Sequence, residues 1–167
     1  MPATSQDLMA MLQRLRIVTA TVEHAALFTV EQSRALRGEI PGAHTKNLFL
    51  KDRKGALFLL TAEEDAAIDL KQLHRLIGAS GRLSFGHPDL LMEVLGVPAG
   101  AVTPFAVIND IAGRVSVILD AALMAHLKVN CHPLVNTATT TIAAGDLIAF
   151  IRATGHEPAV LSVSGEL

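Results

Sequence analysis

The segment KNLFLKDRKGALFLLTA, residues 46–62, decides the architecture. Two apolar runs, Leu48–Leu50 and Leu57–Leu59, flank Asp52-Arg53-Lys54-Gly55, a polar stretch with the residues of a tight turn. Read as two antiparallel strands, the segment puts Lys46, Leu48 and Leu50 on one face and Asn47, Phe49 and Lys51 on the other, because successive side chains of a strand alternate.

Upstream, a first helix is expected from about Ser5 to Leu15, with Thr4 or Ser5 as its cap. Thr29-Val30-Glu31-Gln32 fits a capping box and predicts a short helix to about Leu36, ending near Gly38. Downstream, Asp69 and Gly78 bound a further helix, RLSFG (82–86) reads as a short strand, and Pro88 and Gly96 bracket the next helix. VTPFAVIND (102–110) and GRVSVILD (113–120) read as a second hairpin turning at Asn109–Gly113. Strands near LKVNC (127–131) and TATTTI (137–142), a helix from about Ala144 to Thr154 and a strand at AVLSV (159–163) complete the chain. Strands, hairpins and helices in irregular alternation predict a single compact α+β domain over residues 1–167, with helices flanking a mixed, mainly antiparallel sheet.

Composition sets limits. A chain of 167 residues, 50% apolar and 18% charged, is long enough for one well-filled core. With six Phe and neither Trp nor Tyr, that core must be aliphatic. No stretch reaches the about 18 uncharged apolar residues of a membrane helix, and the N-terminus reads as a helix rather than a signal peptide. The single cysteine, Cys131, allows no internal disulfide, which suits a reducing, cytoplasmic setting. A net charge of −2, from 14 basic and 16 acidic residues, argues against gripping a long stretch of nucleic acid, because neutralising phosphates calls for a basic excess.

Several residues could carry chemistry, and each has an ordinary structural alternative. In an extended LKVNCH, Leu127, Val129 and Cys131 share an apolar face, which makes Cys131 a buried hydrophobe rather than a nucleophile. The seven histidines show no metal-ligand spacing, so no metal is expected; His24, His74 and His156 are expected to be solvated. Lys46 is either an edge lysine snorkelling over apolar surface or a cation at a pocket rim. Gly100 and Pro104, spaced G-x-x-x-P, make a turn or a loop that aims backbone N–H groups at a carbonyl. His132 lies in HPLVNTAT, a polar loop between two strands, where a structural histidine is the commoner case.

Taken together, HTKNLFLKD (44–52), GAVTP (100–104) and CHPLVNTAT (131–139) resemble the YbaK/ProX family of aminoacyl-tRNA editing domains. FTVEQS (28–33) makes the chain look most like the free-standing prolyl-tRNA editing proteins that hydrolyse alanyl-tRNA(Pro), and the similarity spans about residues 24–162. The resemblance implies that Lys46, Gly100 and His132 form the catalytic set, with Pro104 closing the glycine loop, Asn47 in support, and Thr29 and Val30 as pocket walls. It implies ester hydrolysis at the 3′ end of tRNA, assisted by a ribose hydroxyl, with no protein nucleophile and no cofactor. The partner implied is the acceptor end of an aminoacyl-tRNA; prolyl-tRNA synthetase is a further candidate. Arg34, Arg37, Lys51, Arg53 and Lys54 are candidates for reading acceptor bases, or form a solvated charged face. Two rivals keep the pocket but change its use: clearance of cysteinyl-tRNA(Pro) or another mischarged species, and a non-catalytic module that binds aminoacyl-tRNA or a nucleotide.

Overall fold

In a computed structural model that describes residues 1–26 and 40–165, the segment 46–62 forms the hairpin its alternation predicts. Strand β2 (Ala43–Lys51) pairs antiparallel with β3 (Leu57–Glu63), Leu48 opposite Leu60 and Leu50 opposite Phe58. The helix expected from Thr29, the pocket walls Thr29 and Val30, and Arg34 and Arg37 lie outside the described residues.

The remaining elements are α1 (Ser5–Arg14), β1 (Thr19–Glu23), α2 (Leu73–Ile77), β4 (Ser84–Phe85), α3 (Pro88–Leu95), β5 (Val115–Asp120), α4 (Ala121–Met124), β6 (Lys128–Cys131), β7 (Ala138–Ala143), α5 (Ala144–Ala153) and β8 (Ala159–Leu161). Two 3-10 turns, Ala99–Ala101 and Pro104–Asn109, join α3 to β5. The described strands form one mixed sheet in the order β1-β7-β6-β2-β3-β5-β8, with β4 added beside β2. Four of its pairings are antiparallel and three, β2–β6, β3–β5 and β5–β8, are parallel.

Helix α1 starts on a reciprocal capping box: the Thr4 hydroxyl accepts from the Asp7 N–H while the Asp7 carboxylate accepts from the Thr4 N–H. Gly78 and Gly96 end α2 and α3 in the left-handed conformation, where a Cβ would be strained. The sheet is apolar on both sides. Phe49, Leu57, Leu59, Val115 and Val117 face the larger core, with α1, α3 and α5; Leu50, Phe58, Leu60 and Ile118 face a smaller one, with Leu73 of α2. In the larger core Phe105 meets Phe150 edge to face, ring centroids 5.3 Å apart.

The second expected hairpin does not form. Residues 104–109 are a 3-10 helix, and β5 runs parallel to β3 instead of doubling back on 102–108. Pro104 occupies the first helical position, where it lacks no needed N–H, and the Thr103 hydroxyl accepts from the Phe105 N–H. The run Phe105-Ala106-Val107 is buried on every side, and a fully buried run has no period that separates strand from helix. Strand β1 and the short α4 had no clear pattern: β1 is a sheet edge whose residues are mostly exposed. Leu127 is also misplaced by the strand reading, since it precedes β6 and is 90% exposed, whereas Val129 and Cys131 are buried as expected.

His156 is buried rather than solvated. Its Nε2 lies 2.8 Å from Asp110 Oδ2 and its Nδ1 2.9 Å from Thr154 Oγ1, while Asp110 also accepts from the N–H groups of Arg114 and Val115. Asp52 performs a similar task at the β2–β3 turn. One carboxylate oxygen accepts from Lys54 N and Ala56 N and the other from Ser80 N, each at 2.9 Å. These bonds, the one from Ser80 foremost, hold the Asp52 carboxyl below its usual range.

A carboxyl whose acidity is raised by folding stabilises the fold above its unfolded value of about 3.9 and loses that contribution as pH falls through the lowered folded value. Asp52→Asn is therefore expected to lower stability in urea denaturation at about pH 7, and the gap from wild type should close as the pH drops well below about 3.9. A gap independent of pH would contradict this.

Candidate functional site

Strand β2 brings Lys46 and Asn47 into the middle of the sheet on opposite faces. Lys46 is half-buried, and its ammonium donates to the Ala66 carbonyl in the chain that leaves β3. One of three N–H donors is thereby used and the amine is turned toward the 63–66 turn. Asn47 lies across the ladder from Thr61, whose hydroxyl donates to the Asn47 carbonyl oxygen at 2.6 Å. Thr61 is buried, so Asn47 is held rigidly on the side of the larger core.

Beside β2 runs β6, parallel to it and paired only at Ala43–Val129 and His44–Asn130. The ladder then opens, and the Thr45 hydroxyl donates to the Asn130 carbonyl at 2.8 Å in place of a backbone N–H. Lys46 and His132 each follow the last pair of this ladder by two residues.

His132 begins a loop, residues 132–137, that is tied down at His132, Pro133, Leu134 and Thr137. Its Nδ1 lies 3.0 Å from the Ala138 carbonyl. A carbonyl only accepts, so Nδ1 carries the proton and Nε2 of the neutral ring is an acceptor. Ser5 of α1 donates to the Pro133 carbonyl, and the His24 N–H donates to the Thr137 carbonyl at 2.9 Å. Leu134 adopts φ of 70°, the left-handed region that leucine avoids, while its side chain sinks into the larger core. The His24 ring lies 6.5 Å from that of His132 and bonds Thr139 Oγ1 at 2.8 Å. A groove of about 420 Å³ separates α1 from this loop, lined by Met9, Gln13, Thr21, Pro133, Val135 and Thr137.

Gly100 lies in the first 3-10 turn, exposed, and its backbone angles are open to any residue. Space is what singles it out: a Cβ there would stand 3.3 Å from Nδ2 of Asn136, in the His132 loop. Gly100 and the His132 loop, 32 positions apart in the chain from Gly100 to His132, thus meet across a narrow gap. Pro104 is buried at the start of the second 3-10 turn, where it sets the course of the chain leaving Gly100.

The fold therefore brings Gly100 and the His132 loop together, with Lys46 two residues past the last β2–β6 pair. Among the described residues no contact joins the Lys46 amine to either, and Asn47 lies on the other face. Cys131 is 2% exposed, and burial pushes its thiol up to about 12, so it has no thiolate to offer at neutral pH. No cluster of three or more His, Cys, Asp or Glu suited to a metal ion occurs among the described residues, and no described helix is long and apolar enough to cross a membrane. Asn136 and Thr45 belong to the same neighbourhood. The asparagine stood inside the quoted HPLVNTAT motif, but only the approach to Gly100 distinguishes it from a turn residue.

A model of the aminoacyl-tRNA editing domain matches residues 24–150, which includes all three motif segments. A zebrafish (Danio rerio) protein named prolyl-tRNA synthetase associated domain-containing protein 1 is 39% identical over 159 residues, covering 94% of this chain and 86% of its own. The prolyl-tRNA editing protein ProX of Acetoanaerobium sticklandii is 37% identical over 152 residues, covering 90% and 92%. Among solved structures, a candidate trans-editing enzyme for prolyl tRNA synthetase superposes with a TM-score of 0.70 at 22% identity, over 97% of this chain and 99% of that one. This likeness is one of fold.

Burial of Cys131 has a direct consequence: the folded protein should resist alkylation by iodoacetamide at neutral pH and react only once unfolded in urea. Rapid labelling of the native protein would contradict the placement.

Proposed function

The chain belongs to the aminoacyl-tRNA editing domain family, and from that premise we propose that it is a cytoplasmic trans-editing hydrolase that removes alanine from mischarged alanyl-tRNA(Pro). The observation that carries the reading is the meeting of Gly100 with the His132 loop, two motif segments brought within van der Waals reach by the fold.

In the proposed reaction water attacks the ester carbonyl, a tetrahedral oxyanion forms, and the bond to the ribose oxygen of the terminal adenosine breaks. The ribose oxygen leaves with a proton derived from the water, giving alanine and free tRNA. A neighbouring ribose hydroxyl positions and activates the water, which fits a site whose one cysteine is buried and protonated. Backbone N–H groups of the Gly100 turn stabilise the oxyanion, a role that fixed dipoles fill without reorganising during reaction. Lys46 fixes the terminal phosphate or the carbonyl with the donors not used on Ala66. His132, its ring held through Nδ1, orients the ester and shapes the pocket.

Selectivity comes from exclusion. One methyl group rewards binding by only about 1–3 kcal/mol, whereas a pocket closed around alanine refuses a prolyl ring outright. Thr29 and Val30 are proposed walls of that pocket. The net charge of −2 fits a grip confined to the acceptor end; prolyl-tRNA synthetase is the proposed source of the mischarged substrate.

Single-turnover deacylation of alanyl-, prolyl- and cysteinyl-tRNA(Pro), with Lys46→Ala beside the wild type, tests this. Release of alanine alone, slowed by about 10²-fold or more in the variant, is the expected result. Preferred release of cysteine would move the cargo, and no release from any of the three would favour a binding module.

A further inference from the structure

Asn136 is the one polar side chain of the His132 loop that the fold points at Gly100. Its amide nitrogen sits 3.3 Å from the place a Gly100 Cβ would fill, so the two groups face each other at close range. The residue is half-buried, and its amide takes no partner among the described residues. Around it the loop is tied down. Ser5 holds the Pro133 carbonyl, the core holds Leu134 at φ of 70°, His24 holds the Thr137 carbonyl, and Ala138 holds the His132 ring. A non-glycine residue kept in the left-handed region is stored strain, and such strain gathers where a side chain must be aimed.

An amide has two N–H donors and one acceptor. Beside the turn proposed above to hold the oxyanion, it can supply a further donor from the opposite wall. We infer that Asn136 is a catalytic residue of the deacylation proposed above, its Nδ2 donating to the ester carbonyl oxygen as that oxygen gains charge. A side chain at Gly100 would crowd this amide, which would have to give way by a few tenths of an ångström. The inference rests on the deacylase reading and adds to it a side-chain donor.

The test uses the full chain with Asn136→Ala and Asn136→Asp, the second nearly isosteric but without N–H donors. Single-turnover deacylation of alanyl-tRNA(Pro) is measured against enzyme concentration, with melting temperature as the control for folding. A donor used only in the transition state lowers the maximal rate and leaves the half-saturating concentration unchanged. Both variants are expected to lose about 10²-fold or more in rate, with half-saturation within about twofold and unchanged melting. Gly100→Ala pushes a methyl against the amide, so the Gly100→Ala/Asn136→Ala pair is expected to be non-additive. Rates near wild type overturn the inference. So does a loss accompanied by weaker half-saturation or lower melting temperature, which marks a packing role. Wild-type protein that deacylates none of the three tRNAs overturns the deacylase reading, and this inference with it; wild-type turnover with undiminished variants overturns this inference alone.

Discussion

Strands β2 and β6 pair over two residues and then part, and the candidate site depends on that short ladder. A longer pairing would continue the sheet past Thr45 and Cys131 and leave no room between the strands for a loop to turn. The Thr45 hydroxyl takes over where the backbone ladder ends, donating to the Asn130 carbonyl, so the strands separate without leaving that buried carbonyl unpaired. From the open end the chain after β6 becomes the His132 loop, the chain of β2 carries Lys46 and Asn47, and the 3-10 turn at Gly100 closes against Asn136. Both sheet faces behind this edge are filled by core, so the loops stand on a rigid base.

The chemistry available where these strands part is mostly that of fixed dipoles. The thiol is buried and protonated, no metal cluster occurs among the described residues, and His132 spends one ring nitrogen on a backbone carbonyl. Among the described residues that leaves N–H donors on turns, the Asn136 amide and one held ammonium. That inventory suits a substrate that carries its own reactive hydroxyl beside the scissile ester, and the editing-domain family supplies such a substrate class.

Much of this was legible in the sequence, and the reasons are specific. The β2–β3 hairpin announced itself because its apolar alternation is interrupted by a turn with polar residues and glycine, and α3 because Pro88 and Gly96 mark its two ends. Residues 102–110 misled because a continuous buried run has no period, and Pro104 and Thr103 decide for a 3-10 helix only once the chain is packed. His156 looked like a surface turn residue because Asp110, its partner, is 46 positions away. Lys46, Gly100 and His132 could be named from their motifs, but pairing and spacing carried no hint that the Lys46 amine rests on Ala66 or that Gly100 faces Asn136. Both are long-range contacts, and only the fold creates them.

The proposal at stake is that one site, where β2 and β6 part, receives the aminoacyl end of tRNA. Its most direct measurement is backbone amide chemical-shift mapping with a non-hydrolysable, amide-linked alanyl-adenosine. Saturable shifts centred on Gly100, His132, Asn136 and Lys46 are expected, absent with unmodified adenosine plus free alanine at the same concentration. Shifts confined to a surface away from Gly100 and the His132 loop, or none at all at millimolar ligand, would contradict it.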